Sequence, residues 1–355
     1  MLSPKKIKLL VVDDSLFSQA LIKKIIAETT DIEIIATAKN ALEAVQLIKQ
    51  KDPDVVLTDV EMPGMNGFEL VKKMMQEKPV RFIIMSSLNR SVFDVLHAGA
   101  VDFIKKPDMA SADNKEHFKK TLTAGIRSAA KANLSATTQC STSAKSVTAG
   151  TSDADKKLII SKNNLAYGII AFGASTGGTQ TLTEILKKIP TNAPGIIVVQ
   201  HMPSGYTEMF AKRLNQLCAI EVKEASNGDV IKKGTALIAP GGIQTSIKRT
   251  PDGRYVVSCH GTEKVSGHCP SVDHMFDSVA RVAGKNAIGV ILTGMGRDGA
   301  MGMLNMRKNG AYTIGQDKDS SIVYGMPYEA FKLGGVTKQV AYQDIASEIV
   351  NKLNR

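Results

Sequence analysis

The sequence predicts two α/β domains in tandem, each a doubly wound parallel sheet, on three observations. Apolar runs of strand length alternate with amphipathic segments of helical period along both halves of the chain. A stretch rich in Ser, Thr, Ala and Lys separates the halves. The 355 residues, 43% hydrophobic and 22% charged, suffice for two separate cores.

Taken in order, the runs Ile7–Val12, Ile32–Ala36, Val55–Thr58, Arg81–Met85 and Val101–Ile104 read as strands. Between and after them, the segments near Phe17–Ala27, Ala41–Lys49, Phe68–Met75, Val92–Leu96 and His117–Ala129 read as helices, giving five βα units. One parallel sheet covered on both faces accommodates them, with a ligand site at the carboxyl ends of its strands. From Ala132 to about Lys157 almost nothing is apolar, and the segment reads as a flexible linker. Beyond it, strand patterns recur at Gly168–Phe172, Gly195–Gln200, Thr235–Ala239, Ala287–Leu292 and Ala311–Gly315. Helical patterns at Leu182–Lys188, Thr207–Leu217, Val272–Ala283 and Ala300–Lys308 fall among them. Thr245–Arg249 and Arg254–Cys259 flank Pro251-Asp252-Gly253 and predict a β-hairpin inserted in this second, Rossmann-like domain. The expected division is therefore 5–130, a linker at 131–157, and 158–355.

Composition narrows the function classes. No apolar segment approaches the ~20 residues that span a bilayer, and Met1–Lys8 leads from lysines into a strand pattern instead of a secretory apolar region, so no membrane insertion and a cytoplasmic location are expected. Four scattered cysteines argue against a disulfide framework. The net charge of +11 is spread as +2 over residues 1–130, +3 over 131–165 and +6 over 166–355, with no basic run and no tryptophan, which disfavours a nucleic-acid partner.

In the first domain Asp13 and Asp14 follow strand one, Asp59 strand three, Ser86 and Ser87 strand four, and Lys106 strand five, so all fall on one sheet edge. Taken singly, Asp13 and Asp14 could be helix N-caps before Leu16, and Asp59 a solvated loop residue. Three converging carboxylates would repel unless a divalent cation neutralised them, and oxygen-only ligands favour Mg²⁺. A carboxylate can also attack phosphorus to give an acyl phosphate. With Thr58-Asp59-Val60-Glu61-Met62-Pro63-Gly64-Met65-Asn66-Gly67 and Asp102-Phe103-Ile104-Lys105-Lys106-Pro107, residues 5–130 resemble a response-regulator receiver domain. The resemblance implies Asp59 as phospho-acceptor, Asp13 and Asp14 with it as Mg²⁺ ligands, Ser86 as the hydroxyl sensing the phosphoryl group, Lys106 as its cationic partner and Phe103 as the aromatic that moves on activation.

In the second domain the strand Gly168–Phe172 runs into Gly173-Ala174-Ser175-Thr176-Gly177-Gly178, a strand–turn–helix junction that exposes Ser175 beside helix N–H groups. The same turn suits a phosphate equally well. His201 ends the next strand, and Asp298 follows another, so a nucleophile, a base and an orienting acid come from three strand ends on one edge. Asp298 could instead cap the helix at Ala300, and His201 could be an ordinary polar strand end. The order Ser, His, Asp is not that of α/β-hydrolases.

That order, with Gln200-His201-Met202-Pro203, Ile238-Ala239-Pro240-Gly241-Gly242, Pro270-Ser271-Val272-Asp273, Gly289–Gly296 and Gly325-Met326-Pro327, makes residues 166–340 resemble the catalytic domain of the protein-glutamate methylesterases of bacterial chemotaxis, the CheB family. The resemblance implies hydrolysis of glutamate γ-methyl esters on chemoreceptor cytoplasmic helices, deamidation of receptor glutamines, a chemotaxis histidine kinase as phosphodonor, and no cofactor for the hydrolysis. It assigns Ser175 as nucleophile, His201 as base, Asp298 as orienting acid, and the Met295 N–H, with Thr176 close by, as oxyanion support. It further implies that the unphosphorylated receiver limits access to Ser175. The chain departs from the family at Cys269, commonly Arg, and Gln244, commonly His, positions expected near the substrate cleft. Cys259-His260 and His268-Cys269 match no common zinc spacing. Two other outputs fit the residues: a noncatalytic module gripping a ligand at Gly173–Gly178, and a regulated esterase or amidase acting on a protein other than a chemoreceptor.

Overall fold

The structure is a computed structural model that describes residues 5–87, 91–107, 112–137, 158–161 and 168–355. It divides near residue 146 into two compact units. Most of the expected linker, 138–157, lies outside the described residues. The described start of that stretch packs onto the first unit: Ala132 and Ala136 are buried, and Arg81 Nε donates to the Ala132 carbonyl at 2.9 Å.

The first unit runs β1 (Ile7–Val12), α1 (Leu16–Ala27), β2 (Ile32–Ala38), α2 (Ala41–Lys51), β3 (Val55–Asp59), α3 (Gly67–Glu77), β4 (Arg81–Ser86), α4 (Ser91–His97), β5 (Asp102–Lys105) and α5 (Ala112–Ala130). Its sheet has the order β2-β1-β3-β4-β5, every pair parallel. The central strand β3 is buried at all five residues, which is why Val-Val-Leu-Thr-Asp shows no alternation. Helices begin where short polar side chains offer caps. Ser15 accepts from Ser18 N–H, and Asn66 with Glu69 forms a reciprocal capping box.

The second unit continues with β6 (Ile169–Ala174), α6 (Gly178–Leu186), β7 (Gly195–Gln200), α7 (Tyr206–Leu217), β8 (Glu221–Glu224), β9 (Thr235–Ile238), β10 (Thr245–Arg249), β11 (Tyr255–Cys259), α8 (Val272–Val282), β12 (Ala287–Ile291), α9 (Ala300–Lys308), β13 (Tyr312–Gln316), α10 (Met326–Lys332), β14 (Lys338–Val340) and α11 (Tyr342–Leu353). Its parallel sheet has the order β14-β13-β12-β6-β7-β9-β8, and β10 and β11 form the expected antiparallel hairpin. The chain leaves β6 toward β7 and later returns to lay β12 on the other side of β6. The order reverses there, so a crevice opens at the carboxyl ends of these three strands. Strands β6, β7 and β12 are buried throughout, and Phe276, Met303 and Met306 pack in the core against β6 and β12 residues such as Ile169 and Ile291.

Two strands were not legible. In β8, Glu-Val-Lys-Glu, only Val222 is buried, and β14 has three residues; both are sheet edges that bury too little to write a pattern.

Candidate active site and carboxylate pocket

Strand pairing brings Ser175 and His201 together. Ala174 is opposite Gln200 in the β6–β7 ladder, and His201 N–H donates to the Ala174 carbonyl at 3.0 Å, so the two candidates are the next residues on neighbouring strands. From Ile169 to Thr183, Ser175 is the one position that is not buried. The turn beneath it is closed by Gly178 N–H donating to the Ser175 carbonyl at 2.7 Å, with Gly177 at φ +78°, a conformation that favours glycine. Ser175 N–H is itself bonded to the Thr293 carbonyl at 3.0 Å. Two N–H groups that a phosphate would need are thus already spent, which disfavours the ligand-gripping alternative.

Asp298 is 1% exposed and fully engaged. Its Oδ2 accepts from His201 Nε2 at 2.7 Å and Val272 N–H at 2.8 Å; its Oδ1 accepts from Ser271 Oγ at 2.8 Å and Asp273 N–H at 3.0 Å. The carboxylate therefore sits on the N-terminus of α8, where backbone N–H groups and the helix dipole favour negative charge. It does not cap its own helix; Gly299 occupies that position without a side-chain bond. Burial pushes the carboxyl up, but the His201 contact and these backbone donors outweigh it and hold Asp298 below the ordinary carboxylate value.

With Nε2 bonded to an ionised carboxylate, the neutral imidazole carries its proton there and leaves Nδ1 as the base. Nδ1 is buried and has no hydrogen-bond partner among the described residues, so the bond to Ser175 Oγ is not formed in this structure. Such bonds commonly tighten only when substrate arrives.

Met295 follows β12 and is partly exposed, and its N–H meets no protein acceptor among the described residues. Thr176 is 6% exposed, with its carbonyl held by Thr293 Oγ1 at 3.0 Å. Sequence reasoning passed over three supports of this edge. Gly294 lies against Ser175: a Cβ there would stand 2.7 Å from Ser175 Cβ and 2.3 Å from Met326 Sδ. Gln200 Nε2 donates to the carbonyls of Ser175 at 2.9 Å and His201 at 3.2 Å, tying the two candidates together. Ser271, the N-cap of α8, donates to Asp298. All three lie in motifs already singled out, but their supporting contacts are visible only in the packed chain.

Gln244, expected near the cleft, is an internal residue, 4% exposed, bonded to residues that adjoin the site. Its amide accepts from Ser271 N–H and donates to the carbonyls of Glu263 and His268. Cys269 is half-buried, and burial raises its thiol pKa.

The first unit carries the second cluster. Carboxylate oxygens of Asp13, Asp14 and Asp59 all lie within 4.8 Å of one another, and Lys106 Nζ pairs with Asp59 Oδ2. Asp13 and Asp59 are buried and Asp14 is exposed. Neither Asp13 nor Asp14 caps α1; that role belongs to Ser15, whose N–H Asp13 Oδ1 accepts at 2.9 Å. Asp13 Oδ2 is buried with no partner among the described residues, a group that a cation would satisfy. The all-oxygen donor set suits a hard divalent ion. Burial raises the pKa of Asp59 and Asp13 adds repulsion, against which Lys106 and Glu61 N–H pull it down. Ser86 is buried at the end of β4, and Phe103 is half-buried in β5.

Residues 170–349 match the family model described as CheB methylesterase, and residues 9–115 match the response regulator receiver domain. A protein-glutamate methylesterase/protein-glutamine glutaminase from Syntrophomonas wolfei is 45% identical over 99% of both chains. The chain belongs to the CheB methylesterase family. The protein-glutamate methylesterase/protein-glutamine glutaminase of Escherichia coli is 40% identical, covering 98% of this chain and 97% of that one. The crystal structure of the Thermotoga maritima CheB methylesterase catalytic domain superposes with a TM-score of 0.51 at 33% identity, over 52% of this chain and 98% of that one. Membership of the CheB family makes the chain a hydrolase joined to a receiver domain. Among the described residues, no helix is long and apolar enough to cross a membrane.

Proposed function

We propose that this protein hydrolyses glutamate γ-methyl esters on chemoreceptor cytoplasmic helices, releases methanol, and deamidates receptor glutamines, under control of a phosphoryl group on Asp59. The observation that carries the reading is the buried Asp298–His201 pair one strand over from the accessible Ser175.

Ser175 Oγ attacks the ester carbonyl carbon while His201 Nδ1 takes its proton; the imidazolium is stabilised by Asp298 at Nε2. The oxyanion is assigned to the Met295 N–H, with Thr176 in support, as the family resemblance implies. Collapse expels methoxide, which receives the proton from His201, and methanol leaves. Water then attacks the acyl-enzyme by the same proton route, freeing the glutamate carboxylate and Ser175. With a glutamine side chain the leaving group is ammonia. Helix α8 supports this chemistry because its N–H groups keep Asp298 anionic in a buried setting.

In the receiver unit Asp13, Asp14 and Asp59 would hold Mg²⁺, which when bound neutralises charge on the phosphoryl oxygens. The Asp59 carboxylate accepts the phosphoryl group from a chemotaxis histidine kinase, Lys106 pairs with its charge, and Ser86 and Phe103 report its arrival. Soluble action in the cytoplasm fits this partner set.

Ser175→Ala tests the reading. It should lower methanol release by roughly 10⁴-fold or more while leaving receptor binding. Retained turnover would sink the nucleophile assignment, and retained binding without any parental turnover would favour a noncatalytic module.

A further inference from the structure

His268 has no part in the three-residue mechanism, yet its ring lies flat against the catalytic imidazole. The His201 and His268 centroids are 3.8 Å apart and the planes differ by 5°. The loop carrying His268 is fixed from behind. Gln244 Nε2 donates to the His268 carbonyl at 2.9 Å and to the Glu263 carbonyl at 2.8 Å, while Gln244 Oε1 accepts from Ser271 N–H at 2.9 Å. One buried amide thus joins the loop that presents His268 to the residue that caps α8 and bonds Asp298.

The His201 ring is otherwise held at one point only, Nε2 on Asp298, because Nδ1 has no partner among the described residues. A ring anchored at one atom can still pivot about that bond. A flat, fixed neighbour removes the pivot and covers one face from water.

We infer that His268 is a positioning residue: latched by Gln244, it stacks on His201 and holds Nδ1 aimed for proton transfer from Ser175. This rests on the serine–histidine reading above. It requires His268 to stay neutral, since two stacked imidazolium rings would repel. The groups around the pair agree. Burial, the neighbouring His201 and the nearby Lys264 push His268 down to about 4, against the opposing pull of Asp298, so it is uncharged at neutral pH.

The stack also assigns a purpose to Gln244. A neutral imidazole offers one donor and one acceptor, whereas the amide here uses two donor bonds and one acceptor bond at once. It ties both His268 and Ser271 without bringing a third titratable ring near the site.

The test uses the full chain treated with a small phosphodonor, and compares the parent with His268→Ala, His268→Phe and Gln244→Ala. The rate of Ser175 labelling by a fluorophosphonate is followed from pH 5 to 9, alongside the imidazole NMR titration of His201. Because this probe reads the serine–histidine pair directly, its result is separable from failure of the receptor-ester reading, which methanol release tests. His268→Ala should slow labelling roughly tenfold or more, a part of the 10²–10⁴ that a positioned base supplies. Its acid limb should move to higher pH, because an uncovered imidazole is better hydrated and protonates more easily. His268→Phe, flat and non-titrating, should restore most of the rate and return the limb, and Gln244→Ala should resemble His268→Ala with a smaller loss. Labelling rates and acid limbs equal to the parent in His268→Ala would overturn the inference. So would a loss in His268→Phe as deep as in His268→Ala, because the side chain would then act by its nitrogens and not by stacking.

Discussion

At the residue scale the account turns on where one proton sits. Asp298→Asn can present its amide N–H₂ to His201 Nε2, which drives the proton onto Nδ1, the atom needed as base; the same N–H₂ costs Val272 N–H its acceptor while Ser271 and Asp273 keep theirs, and turnover should fall about 10⁴-fold. Asp298→Ala should behave differently. It leaves Ser271 Oγ–H and the N–H groups of Val272 and Asp273 without their acceptor, at about 1–3 kcal/mol for each group that stays buried and unpaired. Its melting temperature should drop by several degrees as well, and an unchanged Tm would show that water replaces the carboxylate. The acid response follows from the depressed pKa of Asp298. Its stabilisation is present above the ordinary carboxylate value of 3.8 and is lost as pH falls through the lower folded value. Of these residues, Ser175, His201 and Asp298 were legible because each follows a strand on one sheet edge. Gly294 and Ser271 were not, since only the packed chain shows which backbone lies against which carboxylate or hydroxyl.

At the scale of elements, the central buried strands are the plainest in the sequence, although the half-exposed β2, β5, β10 and β11 were legible too. Strands β6, β7 and β12 wrote continuous apolar runs because both faces are covered, while β8 and β14 left no signature at the sheet edges. Helix α11 is a different kind of omission. Its buried Tyr342, Ile345, Ala346, Ile349, Val350 and Leu353 follow the helical period, so the signal was present at the end of the chain. In the first unit, the ends of β1 and β3 set carboxylates side by side, and this has a measurable consequence. Burial raises the pKa of Asp59, so its contribution to stability is full below 3.8 and is lost as pH rises through its folded value. A divalent cation should reverse that loss. Mg²⁺ at a hundredfold excess over its dissociation constant should stabilise the receiver transition by about 2.7 kcal/mol at neutral pH, and Asp13→Asn should weaken the effect. A Tm indifferent to Mg²⁺ would remove the acidic trio as a cation site.

At the scale of the whole molecule, two compact units carry two sites: an acidic pocket at one set of strand ends and the serine, histidine and aspartate of a hydrolase at another. The sequence suggested two units with a compositional break between them, and it grouped the candidate residues at each sheet edge. How phosphorylation of one unit reaches the other is not written in strand periodicity, because it depends on the relative populations of states of the same folded units. The prediction at this scale is functional. A small phosphodonor should raise ester hydrolysis by the full chain, and should leave unchanged a fragment beginning near residue 158. Equal rates for all of these would contradict regulation through Asp59. The most direct test of the central claim is release of volatile methanol from methyl-labelled chemoreceptors by the full chain treated with phosphodonor, beside Ser175→Ala and Asp59→Asn. The account predicts release by the parent, loss in Ser175→Ala and no response to phosphodonor in Asp59→Asn. Methanol released by Ser175→Ala at the parental rate would contradict it.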